Sequence, residues 1–95
     1  MEEDFDILEI PGVELNDEAS LENNKSLIVY NDDINTFENV IRSLIEVCEH
    51  SIKQAEQCAY LIHHKGKVVV KSGSFKKLKP MKDGLSERGL SVVIK

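Results

Sequence analysis

Residues 27–41 read LIVYNDDINTFENVI, and this stretch predicts how the folded domain begins. Leu27 to Tyr30 form a short run of β-branched and aromatic residues, which is typical of a strand. Asn31-Asp32-Asp33 are turn-forming residues and end that strand. Apolar side chains then recur at spacings of 3, 1, 3, 1 and 3, which line one face of a helix. These side chains are Phe37, Val40, Ile41, Leu44, Ile45 and Cys48.

The start of this first helix carries a capping pattern. Asn35 can cap the helix, and Glu38 then falls at its third position, as in a capping box. The sequence therefore predicts a strand, a polar loop and a capped helix in direct succession.

The rest of the chain continues the pattern of short elements. Ser51 can cap a second helix, which places His63 in its last turn and ends at Gly66. Its predicted buried stripe is Ile52, Ala55, Cys58, Ala59 and Ile62. A strand follows at 68–70 and a turn at 72–74.

The third helical region contains Pro80, which is unfavourable inside a helix because it removes a hydrogen bond and clashes with the preceding turn. We expect a short turn over 75–78, then a helix with Pro80 in its first turn. Gly89 ends that helix, and a last strand covers 91–94.

The predicted order of elements is β-α-α-β-α-β. This order defines an α+β fold, in which a small three-stranded antiparallel sheet packs against three helices. The predicted domain covers residues 25–95 of a chain of 95 residues, a length that fits one domain.

Residues 1–24 differ in charge from the predicted domain. They hold nine acidic side chains and no Lys or Arg, whereas the remainder holds eight acidic and twelve basic ones. We expect a flexible acidic N-terminal extension before a mildly basic domain. The basic excess is small and lacks a nucleic-acid motif, and no apolar run could span a bilayer. We therefore expect a soluble, cytoplasmic protein that binds neither nucleic acid nor membrane.

The two cysteines, Cys48 and Cys58, fall on the first two predicted helices. Two cysteines make a poor disulfide framework, so we expect reduced thiols in the core.

Two polar features could carry function. Asn31-Asp32-Asp33 lies between a strand and a helix, where such residues are also ordinary turn formers. His63-His64 ends the second helix, where the helix dipole favours a partly exposed histidine. Each feature alone is a weak signal.

Together these features resemble the ClpS family. VYNDDINTFENVI over 29–41 resembles its signature of an apolar strand, Asn-Asp-Asp and a helix. QAEQC over 54–58 and IHHKGK over 62–67 resemble its second helix and its His-x-x-Gly-Lys ending. The spacing from Asn31 to His63 also agrees, and the resemblance covers about residues 26–95.

The resemblance implies a non-enzymatic adaptor. ClpS proteins recognise N-degrons, which are proteins whose first residue is usually Leu, Phe, Tyr or Trp, and act as monomers. They deliver these proteins to a hexameric Clp AAA+ unfoldase, ClpA or a relative, that is coupled to ClpP. No catalytic residue, cofactor or metal is implied.

The resemblance also assigns roles to residues. Asn31, Asp33 and a neutral His63 would accept hydrogen bonds from the ammonium group of a free N-terminus. The pocket for the first side chain, with its gate, would involve six further residues. They are Ile34, Asn35, Thr36, Phe37, Ala59 and Ile62.

The sequence departs from the family pattern in two places. Many members carry an aromatic residue, then Thr-Pro and Met, after Asn-Asp-Asp, whereas this chain has Ile34, Asn35, Thr36 and Phe37. A stiff Phe37 in place of the gating Met would narrow the slot and disfavour β-branched first residues. The third helical region, which helps contact the unfoldase in the family, is shorter and more basic here. The acidic extension would either aid delivery, as in the family, or maintain solubility.

Three alternatives remain open at this point. Asp32, Asp33 and His63 could serve an enzyme with Ser72 or Ser74 as nucleophile, although no nucleophile motif surrounds either serine. Cys48, His50, Cys58 and His63 could bind zinc, although their spacing matches no common finger. A protein-interaction domain of the same fold, like the C-terminal domain of ribosomal stalk proteins, would lack the N-degron pocket.

Overall fold

The computed structural model describes residues 24–95, and these form three strands and three helices in the predicted order. The elements are β1 (Lys25–Tyr30), α1 (Phe37–Cys48), α2 (Ile52–Lys65), β2 (Lys67–Gly73), α3 (Phe75–Glu87) and β3 (Ser91–Ile94). The prediction of a flexible extension concerns residues 1–24, which lie outside the described residues except for Asn24.

The three strands form one antiparallel sheet with β1 in the centre, in the order β2-β1-β3. Tyr30, the last residue of β1, pairs with Lys67 on one side and with Ser91 on the other. The chain therefore leaves β1 at the end of the sheet where β2 and β3 both begin. A register shift after Leu27 places Val70 as an extra residue in β2, which is a β-bulge.

The core lies between one face of the sheet and the three helices. Because side chains alternate along a strand, Leu27 and Val29 of β1 point to the same face. A single buried cluster joins them to residues of all three helices and of the other two strands, among them Leu44, Cys58, Val68, Val70, Leu78, Leu85 and Val92. The predicted α+β fold is thus confirmed.

The start of α1 differs from the prediction. Thr36, not Asn35, caps the helix, and its Oγ1 accepts a hydrogen bond from the Asn39 amide at 3.0 Å. Glu38 is consequently the second helical residue, so the predicted capping box is wrong. Asn35 does not cap α1 because its side chain is engaged elsewhere in the loop.

The second helix begins and ends as predicted. Ser51 caps α2 by accepting a hydrogen bond from the Gln54 amide at 3.1 Å, and Gly66 ends it at φ 92°. Ala55, Cys58, Ala59 and Ile62 are buried. Ile52 is 66% exposed, so the buried stripe begins one turn later than predicted.

The third helix is continuous, which corrects the predicted turn at 75–78. Ser74 caps α3 through a 3.1 Å hydrogen bond from the Lys77 amide, so the helix begins at Phe75 with Pro80 in its interior. Pro80 is exposed, as is Lys76, whose carbonyl lacks an amide donor from the proline. The buried Leu78 and Leu85 anchor both halves to the core. Gly89 ends the helix at φ 89°, as predicted.

Both cysteines are free and buried, which confirms the predicted reduced core thiols. Burial raises the pKa of Cys48 to about 11 and that of Cys58 to about 12. No helix within the described residues combines the length and the apolar character needed to cross a membrane.

Candidate functional site

The loop between β1 and α1 is organised by the carboxylate of Asp32. Its Oδ1 accepts hydrogen bonds from the backbone amides of Ile34 and Asn35, each at 2.9 Å. Its Oδ2 accepts a longer bond, 3.4 Å, from the Ser91 hydroxyl at the start of β3. These bonds, above all the one from the Asn35 amide, hold the pKa of Asp32 below its usual value, although burial acts in the opposite direction. Asp32 is therefore engaged within the fold.

The side chain of Asn35 joins this loop to the turn between α3 and β3. Its Nδ2 donates to both oxygens of Asp32, at 3.2 and 3.0 Å, and to the backbone carbonyl of Gly89 at 2.7 Å. Its Oδ1 accepts a bond from the Asn39 side chain. Because the partners of Nδ2 are all acceptors and the partner of Oδ1 is a donor, the orientation of the amide is fixed by the network.

The same loop lies against the C-terminal end of α2. The backbone N–H of Asn31 donates to the Gly66 carbonyl at 2.9 Å. This bond places Asn31 beside the last turn of α2, which carries His63 and His64. The His64 ring contacts Tyr60 with 4.1 Å between centroids and meets His63 edge-on at 6.1 Å.

A small cavity lies between this loop, the end of β1, the helices α1 and α2, and the turn before β3. Its volume is about 10 Å³, which is about the space of one water molecule. The lining residues come from the end of β1, the loop, both first helices and the turn before β3. They are Val29, Tyr30, Asn31, Asp32, Asn35, Val40, Ile62 and Leu90.

Three of the nine predicted site residues, Asn31, Asn35 and Ile62, line this cavity. Asp33 and His63 are exposed and follow the lining residues Asp32 and Ile62 in sequence, but they do not line the cavity themselves. Of the other predicted pocket residues, Ala59 is buried in the core, Thr36 caps α1, and Ile34 and Phe37 are 86% and 44% exposed.

Sequence reasoning did not assign Val29, Tyr30, Asp32, Val40 and Leu90 to the cavity wall. Val40 and Leu90 carry no local signal beyond being apolar, since only tertiary packing brings them together. Asp32 is the central polar residue of the Asn-Asp-Asp motif, and such residues commonly bond to their own loop.

The enzyme and zinc alternatives find no geometric support in residues 24–95. Ser74 is the cap of α3, and Ser72 lies within β2 opposite Ser26. His50 precedes α2 whereas His63 lies in its last turn, so about 17 Å of helix separates them. The four proposed zinc ligands therefore do not converge.

A larger and more open depression of about 390 Å³ lies along α2. The described residues that line it are Glu56, Gln57, Tyr60 and Leu61. It shares no described lining residue with the cavity at Asn31 and lacks the polar loop, so the smaller cavity is the better candidate site.

The fold and the loop define a small α+β domain with a polar cleft where the central strand meets two helix ends. Residues 21–93 match the family described as ATP-dependent Clp protease adaptor protein ClpS. The chain therefore belongs to the ClpS family of adaptors of the Clp protease, which confirms the resemblance seen in its sequence.

Solved structures agree with this assignment at the level of the fold. A structure of Agrobacterium tumefaciens ClpS2 bound to L-phenylalaninamide matches with a TM-score of 0.66 and 22% identity. The match covers 78% of this chain and 96% of the ClpS2 chain. A search of curated proteins returned no match to this chain.

Proposed function

We propose that this adaptor binds N-degrons by their free N-terminal ammonium group and their bulky apolar first side chain. It would then deliver them to a Clp AAA+ unfoldase, ClpA or a relative, coupled to ClpP. The chain performs no reaction in this role, which we place in the cytoplasm with the adaptor as a monomer.

The observation that carries this proposal is the contrast between Asp32 and its two neighbours. The Asp32 carboxylate accepts four hydrogen bonds from within its loop and one from Ser91. Asn31 and Asp33 are exposed, and within residues 24–95 neither side chain has a hydrogen-bond partner or ion pair. An amide oxygen and a carboxylate are thus available to a cation beside the cavity.

The end of α2 adds to the attraction for an ammonium group. The C-terminus of a helix carries a partial negative charge, which favours a cation nearby. The Asn31–Gly66 hydrogen bond holds the loop against this end of the helix. A neutral ring of the exposed His63 would supply a third acceptor.

The apolar walls of the cavity suit the apolar first side chain of an N-degron, but the cavity volume is too small to hold that side chain. Val40, Ile62 and Leu90 provide apolar walls next to Asn31. The compound bound to Agrobacterium tumefaciens ClpS2, L-phenylalaninamide, combines a free amino group with an aromatic side chain, which is the chemistry that this proposal requires. Entry of a Leu or Phe side chain would require the walls to move apart.

The small cavity also favours a second candidate function. A protein-interaction domain of the same fold would have a filled cleft and no N-degron pocket, and a volume of about 10 Å³ fits that description. The two functions differ in whether a free N-terminus is needed for binding.

Delivery would involve surfaces outside the cavity. In the family the N-terminal extension takes part in delivery and the third helical region contacts the unfoldase. Here α3 exposes Lys76, Lys77 and Lys79, and residues 1–24 carry nine acidic side chains. We propose that both regions face the unfoldase.

Fluorescence anisotropy with labelled peptides that differ only at the N-terminus would test the proposal. Peptides that begin with Phe, Leu, Tyr or Trp should bind, and acetylation of the Phe peptide should abolish binding because it removes the charge and two donors. Peptides that begin with Ile or Val would show whether the pocket accepts β-branched first side chains. Failure of every free N-terminus to bind would favour the interaction-domain function.

A further inference from the structure

We infer that Asn35 is a latch that holds the cavity closed and so sets which first side chains enter it. This inference rests on the proposed function and concerns the specificity of that same site. Asn35 would act as a positioning residue through the cavity walls, without contact to the ammonium group.

Asn35 links two walls of the cavity. Its Nδ2 donates to the Gly89 carbonyl at 2.7 Å, although the two residues are 54 positions apart. The next residue after Gly89 is Leu90, which also lines the cavity and is only 6% exposed. The bond therefore holds the Leu90 wall against the loop that carries Asn31.

Asn35 is itself held by several hydrogen bonds. Its backbone amide and its Nδ2 both donate to Asp32, and its Oδ1 accepts a bond from Asn39 in the first turn of α1. A side chain fixed at three points has little freedom to swing aside. The only other side-chain hydrogen bond between this loop and the α3–β3 region within residues 24–95 is the 3.4 Å contact of Ser91 with Asp32.

The cavity must open to accept an apolar side chain. At about 10 Å³ it admits roughly one water molecule. Separation of the loop from the Leu90 wall would break the Asn35–Gly89 bond. The cost of breaking it is expected to rise with the size of the entering side chain, so the latch favours smaller first residues over aromatic ones.

The test compares the full chain with Asn35→Ala, Asn35→Asp and Asn39→Ala. Asn35→Asp keeps the side-chain volume but removes the Nδ2 donor to Gly89 and Asp32 and places a second carboxylate beside Asp32. Asn35→Ala removes the same donor without adding charge, so an effect shared by both variants belongs to the lost hydrogen bonds and not to the charge or to the space that Ala creates. Asn39→Ala removes only the outer bond to Oδ1 and leaves the Gly89 bond in place, which makes it the matched control.

Two readouts are needed. The first is the ratio of Kd values for Trp and Leu peptides, in which the uniform effect of the added charge in Asn35→Asp cancels. We expect both Asn35 variants to lower the Trp/Leu ratio about 2- to 10-fold, the range for loss of one neutral hydrogen bond, and Asn39→Ala to change it less than twofold. The second, without peptide, is the set of NMR NOEs between the methyl groups of Leu90 and Val40, which should weaken only in the Asn35 variants.

The outcomes separate the latch from the proposed function. If the wild type binds peptides but both Asn35 variants keep its ratio and its NOEs, the latch is wrong and the proposed function stands. If no chain binds a peptide while the NOEs weaken as expected, the proposed function fails and the mechanical role of Asn35 is upheld. Equal loss of affinity for all peptides in folded Asn35 variants would also overturn the latch.

Discussion

The imidazole Nε2 of His50 lies 2.9 Å from the carbonyl oxygen of Val70. Val70 is the extra residue of the bulge in β2, so this hydrogen bond joins the connection between α1 and α2 to the irregular point of the sheet. Because a carbonyl only accepts, Nε2 must carry the proton, and Nδ1 is left to accept from the Cys58 thiol at 3.5 Å. His50 is 4% exposed and is therefore a buried, neutral imidazole.

We expect the stability of the domain to fall at mildly acidic pH because of His50. Burial, more than any other factor, lowers the pKa of His50 below its ordinary value of 6.5. Between the two pKa values the unfolded chain binds more protons, so the free energy of unfolding decreases as pH falls below about 6.5. Urea unfolding at a series of pH values between 5 and 7.5 would measure this slope.

His50→Gln should flatten that slope, because a glutamine amide can still donate to Val70 but does not titrate. His64→Gln is the matched control, since His64 is exposed on α2, where its ring contacts those of Tyr60 and His63. An unchanged slope in His50→Gln would assign the acid sensitivity to other groups.

The acceptors proposed for the ammonium group predict a pattern of binding losses. Asn31→Ala, Asp33→Ala and His63→Ala should each weaken binding of a Phe peptide by about 1–3 kcal/mol, because each leaves a desolvated donor without its partner. All three side chains are exposed, so the midpoint of thermal unfolding should change little.

Asp32→Ala should differ from these three variants in its effect on the stability of the domain. It removes an internal acceptor from the loop and should lower stability by about 1 kcal/mol. If Asp33→Ala bound the peptide as tightly as the wild type, the assigned acceptor set would be wrong.

Phe37 provides a prediction about the width of the slot. Phe37→Met should improve binding of Ile and Val peptides relative to Leu, because a flexible thioether adapts to branched side chains better than a phenyl ring. Phe37 is 44% exposed, so the change should cost little stability. Phe75→Met, at a 51% exposed aromatic residue on α3, is the control. Equal ratios in the wild type and Phe37→Met would remove Phe37 from the gate.

Much of the fold could be predicted because its signals are local. The strand at Leu27–Tyr30 and the helical spacing after Phe37 are legible within a few residues, and Ser51 and Gly66 mark the ends of α2 directly. Family resemblance added the roles of Asn31, Asp33 and His63, which stay predictions.

The remaining features depend on contacts between distant parts of the chain. The neighbours of Asn35 predict that it caps α1, but its Nδ2 is bound to Gly89, 54 residues away, and its Oδ1 accepts from the Asn39 side chain. Thr36 caps the helix instead. The closed cavity depends on Leu90 packing beside Val40 and Ile62, which no local pattern encodes.

Pro80 offers a prediction about stability away from the site. It lies inside α3, where it leaves the Lys76 carbonyl without an amide partner, yet it is exposed and fills no core space. Pro80→Ala should restore that hydrogen bond and raise the free energy of unfolding by about 1–3 kcal/mol, since proline is about 3 kcal/mol less favourable than alanine inside a helix. Urea denaturation of the variant beside Ser86→Ala, an exposed position of the same helix, would measure the difference. Peptide affinity should stay unchanged because Pro80 does not line the cavity. A decrease in stability would mean that proline restricts the unfolded chain more than it weakens α3.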